Sequence, residues 1–382
     1  MKNSFKTVLP PATIGILGGG QLGRMMALEA REMGYQIVTL DPTKNSPCGQ
    51  ISDKQVTAAF DSIEGAAELA KFSEVITYEF ENISSEIAYT LEQDSYLPQG
   101  YDLLYKTQNR LREKRAVEAA GVQVAPYLPI NSYEDLLQGL QQFHYPSVLK
   151  TTEGGYDGKG QMVLRNEQQL EETRALLEKT EQEWVLEKFV PFIKELSVIV
   201  ARNPNGETKA FPVSENIHQE NILHLSIVPA RVSEEIQQKA MELAIQLADS
   251  FNLIGLLAIE MFLLEDGTLY VNEMAPRPHN SGHYTQQGCH TSQFEQHVRA
   301  ICNLPLGDTR LITPTVMVNI LGEHLQPVLD KLPELDSSIK LHLYGKEEAK
   351  TKRKMGHLNV TAANVEEAID KIKALNIWNM EE

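Results

Sequence analysis

Cysteine is scarce in this chain: Cys48, Cys289 and Cys302 are the three among 382 residues. Their spacing fits no zinc pattern, and so few thiols suit a reducing compartment better than a disulfide framework. No apolar run reaches the roughly 18 residues of a membrane span. The opening MKNSFKTVLPPATIGILGGG lacks a signal-peptide pattern, because its apolar stretch is short and reads as a strand. A cytoplasmic location is therefore expected. Positive charge is also in deficit, with a net charge of -17. That argues against wrapping nucleic acid or binding an anionic membrane. It does not exclude small anionic substrates, which need only local positive charge. The Walker A pattern G-x-x-x-x-G-K-[ST] is missing as well.

What is present is length enough for two or three domains with their own cores. The densest stretch covers residues 256–283, LLAIEMFLLEDGTLYVNEMAPRPHNSGH. Two apolar runs flank Glu265-Asp266-Gly267-Thr268, which is a hairpin signal. A two-residue loop at Asp266-Gly267 places Glu260 directly across from Glu273. Phe262, Leu264, Leu269 and Val271 then share their face. Opposed like charges destabilise a strand pair, so two carboxylates in an apolar setting call for a counter-charge. A divalent cation with hard oxygen ligands, Mg²⁺ or alternatively Mn²⁺, shared with substrate phosphates, is expected there. Arg277, His279, Asn280 and His283 follow at once, at a strand end where sites concentrate.

The first third alternates strands and helices, which predicts an open parallel sheet through about residue 99. A strand over 13–17 runs into Gly18-Gly19-Gly20-Gln21-Leu22-Gly23, then a helix over 24–33, then a strand over 36–40 ending at Asp41. This is the G-x-G-x-x-G fingerprint. It supplies a helix N-terminus facing an anion without naming the anion. A phosphate or substrate site is expected there rather than NAD. The turn Tyr78-Glu79-Phe80-Glu81-Asn82 follows the strand over 74–77. It reads equally as a ligand edge or as a helix N-cap with solvated acids.

A helix over 101–120 is expected to keep most of its charges in water, with Arg110 within reach of a phosphate. A strand over 147–150 ends at Lys150. The loop after it holds four glycines in seven residues, Gly154 to Gly160, so its backbone can approach a ligand closely. The strand ending in Glu187-Lys188-Phe189-Val190 suits an adenine site, where backbone groups meet the base edge and a carboxylate takes ribose hydroxyls. His218 alone reads more readily as structural. Five basic residues lie between Lys346 and Lys354. They read either as a solvated turn or as an anion pocket with Lys346 and Arg353 at its centre.

Four segments, GGGQLGRM, GGYDGKGQ, NEMAPRPHNSGH and YGKEEAKTKRKMGHLN, follow one another at the spacing of one family. Through them the chain resembles the ATP-grasp ligases, and most closely the N5-carboxyaminoimidazole ribonucleotide synthase family of purine biosynthesis. The resemblance implies an α/β and α+β architecture. An N-terminal parallel-sheet, Rossmann-like pre-ATP-grasp domain would span residues 1–99. An ATP-grasp domain would cover 100–305, with a mobile lid around 122–190, and a small β-rich domain 306–382. ATP contacts would come from Arg110, Lys150, Gly155, Tyr156, Asp157, Gly158, Lys159, Gly160, Gln161, Glu187, Lys188, Phe189, Val190, Glu195, His218, Asn272 and Glu273. Mg²⁺ would sit on Glu260 and Glu273. Gln21, Leu22, Glu79, Asn82, Lys346 and Arg353 would hold 5-aminoimidazole ribonucleotide. Arg277, His279 and Asn280, with Tyr156 and Asp157, would surround the reacting groups. Neither biotin nor NAD is implied, and a homodimer is.

The implied chemistry activates bicarbonate, a poor electrophile, by transfer of the γ-phosphoryl group of ATP. The resulting carboxyphosphate then carboxylates the ribonucleotide amine. Three rivals remain at this point. One is a formate-dependent transformylase of the same superfamily. Another is a nicotinamide oxidoreductase built on residues 18–23, and the third is a nucleotide-binding regulator without catalysis.

Overall fold

The computed structural model describes residues 5–155, 160–179 and 182–380. Strands Thr13–Leu17, Gln36–Leu40, Lys54–Val56 and Val75–Tyr78 form a parallel sheet with Thr13–Leu17 and Gln36–Leu40 at its centre. Ile14, Ile16, Leu17, Ile37 and Leu40 are buried, as expected of parallel strands covered by helices on both faces. All four strands run the same way. Their C-terminal ends therefore deliver Gly18, Asp41 and Glu79 to one edge.

The long helix expected over 101–120 is two helices, Asp102–Thr107 and Arg110–Ala119. The break is Asn109, whose side chain accepts from Leu111 N and Arg112 N. An N-cap asparagine starts a new helix at that point. Asn109→Ala is expected to cost about 1 kcal/mol of stability, read as a lowered urea midpoint. Most of its charges do reach water, but Glu113 and Lys114 are exceptions at 3% and 1% exposed.

Strands Tyr127–Ile130, Trp184–Lys188, Ser147–Thr151 and Gln161–Leu164 form a separate antiparallel sheet in that order. Helix Tyr133–Phe143 supplies Leu136, Leu140 and Phe143 to its small core with Leu149, Leu186 and Trp184.

A nine-stranded sheet forms the body. It begins with Leu269–Ala275 and Gly255–Leu263, continues through Lys194–Arg202, Ser214–Gln219 and Ile222–Val228, and ends in Thr315–Leu321, Lys354–Thr361 and Ile339–Leu343, while the ninth strand, Thr208–Ala210, pairs with Lys194–Arg202 off this path. The C-terminal strands are thus not a sheet of their own. Thr315–Leu321 pairs antiparallel with Ile222–Val228, which ties the basic C-terminal turn to the central strands by backbone hydrogen bonds.

A stack of imidazoles makes the second tie. His357 lies 4.6 Å from His283 and 4.5 Å from His342, ring centre to ring centre. Tyr344 Oη is 2.9 Å from His357 Nδ1. Burial pushes the His342 imidazole down to about 4 and that of His297 to about 3. Both ordinarily titrate near 6.5 and stay neutral in the fold. Below that value the unfolded chain takes up protons that the folded chain refuses, so stability falls with pH. A loss on the order of 1 kcal/mol per histidine is expected near pH 5.5 relative to pH 7.5. Urea unfolding at the two pH values checks it. His342→Gln is expected to flatten part of the slope.

Candidate active site

Glu260 does face Glu273, but not for the expected reason. Beyond the turn the register is Met261↔Val271, Phe262↔Tyr270 and Leu263↔Leu269, and a bulge then restores Glu260↔Glu273. The turn spans residues 264–268, with Gly267 N donating to Leu264 O and Leu264 N to Thr268 O. It is one residue longer than a two-residue loop. The extra residue opposite is Asn272, at the bulge. The two differences cancel at the glutamates and not elsewhere. Leu269 and Val271 turn to the core with Met261 and Leu263, so they do not share the carboxylate face as expected. Phe262 does, stacked on Phe192 at 4.5 Å and 7°.

The pair is electrostatically incomplete. Burial, and then the charge of Glu273, push the Glu260 carboxyl up to about 8. His279 Nε2 is 3.6 Å from Glu260 Oε1, yet burial and the neighbouring Arg277 hold that imidazole well below its usual range, so it brings no charge. Arg110 Nη1 reaches Glu273 Oε2 at 3.5 Å. The buried Asn272 Oδ1 has no hydrogen-bond partner. Two carboxylates and an orphaned amide oxygen fit a hard divalent cation that takes its remaining ligands from phosphates and water. Among the described residues no cluster of three or more His, Cys, Asp or Glu forms a self-sufficient metal site.

The glycine loop lies beside this pair. Tyr156, Asp157, Gly158 and Lys159 lie outside the described residues. Gly154 and Gly160 flank them with φ of +75° and +72°, a region that favours glycine. A Cβ on Gly160 would meet Thr151 Oγ1 at 2.6 Å. Arg110 Nη2 donates to Gly155 O at 3.5 Å. Gln161 pairs with Lys150 across the strands. The Glu187 side chain faces two lysines. Its carboxylate is buried and engaged, 2.8 Å from Lys150 Nζ and 3.0 Å from Lys114 Nζ. Burial opposes its charge, but the two lysines hold it down at about 2. The exposed Lys188 and Phe189 and the buried Val190 follow. Glu195 remains partly exposed, 3.2 Å from His218 Nδ1. Burial disfavours a charged His218, yet the Glu195 contact outweighs it and the imidazole is raised. The structure thus brings His218 and Glu195 together.

The glycine fingerprint is closed by the protein itself. Gly20 N donates to Glu79 Oε1, and Gly23 N to Glu79 Oε2 at 2.5 Å. Gly19 N donates to Asp41 Oδ2 at 2.9 Å. The helix N-terminus that a phosphate would use is filled by a carboxylate. The amides of Gly19, Gly20 and Gly23 are thus taken by Asp41 and Glu79, where the sequence left the anion unnamed. A Cβ on Gly18 would meet Glu79 Cγ at 2.3 Å, which explains a glycine there without a ligand. Burial lifts Glu79 to about 7. Gln21 is half-buried, Leu22 buried and Asn82 exposed.

A cavity of about 390 Å³ opens next to that edge, lined by Thr43, Asn45, Ser46, Lys346 and Arg353 among others. Lys346 Nζ donates to Lys354 O at 2.7 Å. Burial, then Arg353, lower its ammonium to about 8. Gln50 Nε2 donates to Gly345 O at 2.8 Å and so fastens the basic turn to the first lobe. The Arg277 charge acts on Glu79 at this edge and on His279 beside Glu260. Arg277 Nη2 is 2.5 Å from Glu81 Oε1, its Nη1 donates to Pro278 O, and its buried Nε has no partner. Both polar atoms of the Asn280 side chain are buried without partners.

Sequence reasoning missed Glu113, Lys114 and Phe192, and it named Glu81 and Lys354 only as members of the acidic turn and the basic run. The Lys354 charge acts on Glu260, His218 and His279 together. Its place inside the basic run was the available signal. Glu113 Oε1 accepts from Met274 N at 2.6 Å, a contact 161 residues apart in the chain that no local pattern announces.

Comparison with known proteins gives a consistent result. The ribonucleotide synthetase preATP-grasp domain matches residues 11–103 and the ATP-grasp domain 115–294. The phosphoribosylaminoimidazole carboxylase C-terminal domain matches 315–371. The N5-carboxyaminoimidazole ribonucleotide synthase of Bacillus subtilis is 53% identical over 98% of this chain and 97% of its own. A crystal structure of an ADP complex of an N5-carboxyaminoimidazole ribonucleotide synthetase is 58% identical, with TM-score 0.95 over 98% of this chain and 99% of that one. The Aspergillus clavatus synthase, crystallised with ADP and 5-aminoimidazole ribonucleotide, is 34% identical with TM-score 0.89, over 96% and 97% of the two chains.

Proposed function

Because the chain belongs to the N5-carboxyaminoimidazole ribonucleotide synthase family of ATP-grasp enzymes, we propose that it carboxylates 5-aminoimidazole ribonucleotide with bicarbonate at the expense of ATP. The products are N5-carboxyaminoimidazole ribonucleotide, ADP and phosphate. The observation that carries this reading is Arg277 with its buried, unpartnered Nε. Its charge acts on Glu79 and on His279, which lies 3.6 Å from Glu260. In this reading residues 1–99 and 306–382 hold the acceptor and 100–305 the nucleotide. A cytoplasmic homodimer is the expected form.

A magnesium ion on Glu260 and Glu273 would supply positive charge to the β- and γ-phosphates. The chain's own residues do the rest. Lys150 and the amides of the glycine loop bear on the phosphate oxygens, where phosphoryl transfer is mostly positioning and charge stabilisation. A bicarbonate oxygen attacks the γ-phosphorus and ADP departs. Arg277 Nε–H orients the carboxyphosphate so formed, while Glu81 fixes the other end of the guanidinium. The ribonucleotide amine attacks the carboxyl carbon, phosphate leaves, and a neutral His279 or Asp157 accepts the amine proton. Lys346 and Arg353 hold the ribose phosphate in the cavity they line.

The test is ADP release from ATP, Mg²⁺ and bicarbonate with and without the ribonucleotide. Release that depends on the ribonucleotide supports the reading. Release indifferent to it but switched on by another amine overturns the acceptor and keeps the nucleotide site.

A further inference from the structure

Four charged side chains lie almost wholly buried where the small antiparallel sheet meets helix Arg110–Ala119: Glu113, Lys114, Lys150 and Glu187. Lys150 and Glu187 sit on neighbouring strands of that sheet. Lys114 arrives from the helix and belongs to neither strand. The Glu187 carboxylate faces both ammonium groups, with Oε2 at 2.8 Å from Lys150 Nζ and Oε1 at 3.0 Å from Lys114 Nζ, the latter an ion pair without hydrogen-bond geometry. Lys114 also lies 5.7 Å from the centre of the Tyr127 ring.

A buried lysine paired one-to-one with a glutamate is a neutral unit and offers an incoming phosphate little. Two lysines sharing one glutamate carry a net positive charge, and Glu113 does not cancel it, because burial and then the charge of Glu273 push its carboxyl up to about 8. Burying an extra ammonium is costly unless it serves something. Lys114 is 1% exposed, so it cannot touch a ligand in the open cleft. Lys150 is at the strand end beside the glycine loop, where its charge is delivered.

We propose that Lys114 is a positioning residue for the nucleotide phosphates: by taking half of the Glu187 carboxylate it leaves the Lys150 ammonium free to bind them. Glu187 then serves as the shared arm that holds both lysines, not as a ribose ligand. This rests on the proposed ATP site, and it adds to that site a residue that never meets the nucleotide.

The test is calorimetric binding of Mg-ADP and of adenosine, which lacks phosphates, to the full chain. Lys114→Met makes the trio neutral. It is expected to weaken ADP binding by roughly tenfold or more and to leave adenosine binding unchanged. Glu187→Gln added to Lys114→Met removes both charges and returns the net charge to that of one free lysine, so most of the ADP affinity is expected back. A purely structural Lys114 gives the opposite pattern: ADP and adenosine weaken together and the double variant is worse. That pattern, or unchanged ADP binding in Lys114→Met, overturns the proposal. Lys114→Gln, alone and with Glu187→Gln, provides the same comparison if the methionine variant fails to fold. Failure of the unaltered chain to bind ADP would overturn the proposed function too. Binding there with no effect of Lys114→Met overturns this inference alone.

Discussion

Glu273→Gln is expected to abolish ribonucleotide-dependent ADP release, with kcat/KM down about a thousandfold or more. Glu273 is one of the two carboxylates offered to the cation and also the partner of Arg110 at 3.5 Å. The substitution keeps the shape of the side chain and removes its charge, so the fold is expected to persist. It also relieves the repulsion that, after burial, raises the Glu260 carboxyl. The variant is therefore expected to be at least as stable as the parent while inactive. Steady-state ADP release and urea unfolding on the same preparation separate the two effects. Activity within tenfold of the parent would remove the glutamate pair from the mechanism.

Arg277→Lys is expected to lower kcat by roughly a hundredfold with little change in ADP binding. The guanidinium spans three positions at once: Glu81 at 2.5 Å, Pro278 O at 2.9 Å and a free buried Nε–H. An ammonium keeps the charge but cannot hold Glu81 and present a second donor in a fixed fork. The loss is expected in the carboxylation step. Single-turnover formation of the carboxylated ribonucleotide, beside calorimetric Mg-ADP binding, distinguishes it from a nucleotide defect. An equal fall in ADP affinity would place Arg277 in the phosphate site instead.

The parts legible in the sequence were those fixed by short-range pattern. Parallel strands, the hairpin with two glutamates, the basic turn and the glycine loop announce themselves within a dozen residues. The Glu260–Glu273 opposition was reached through a wrong loop length and an unseen bulge that compensate each other. A bulge leaves no sequence mark as plain as Asp-Gly, so the face assignment of Leu269 and Val271 failed while that of the glutamates held. The G-x-G-x-x-G run left its anion open because a fingerprint states what a backbone can bind, not what arrives first. Here Glu79, 56 residues after Gly23, occupies it. Helix Arg110–Ala119 hid its inward charges for a related reason. Glu113 and Lys114 look like a solvated face until the strand carrying Met274 and the one carrying Glu187 are brought against them. Long-range pairing decides which charges are buried, and a single sequence does not display it.

The most direct measurement uses bicarbonate labelled with ¹⁸O, with ATP, Mg²⁺ and 5-aminoimidazole ribonucleotide, and determines the label in the inorganic phosphate released. Carboxyphosphate carries one bicarbonate oxygen to phosphorus, and that oxygen leaves with phosphate when the amine attacks carbon. One ¹⁸O per phosphate, appearing only with the ribonucleotide present and in step with carboxylated product, is the predicted result. Phosphate free of label alongside carboxylated product would contradict activation of bicarbonate by phosphoryl transfer at this site.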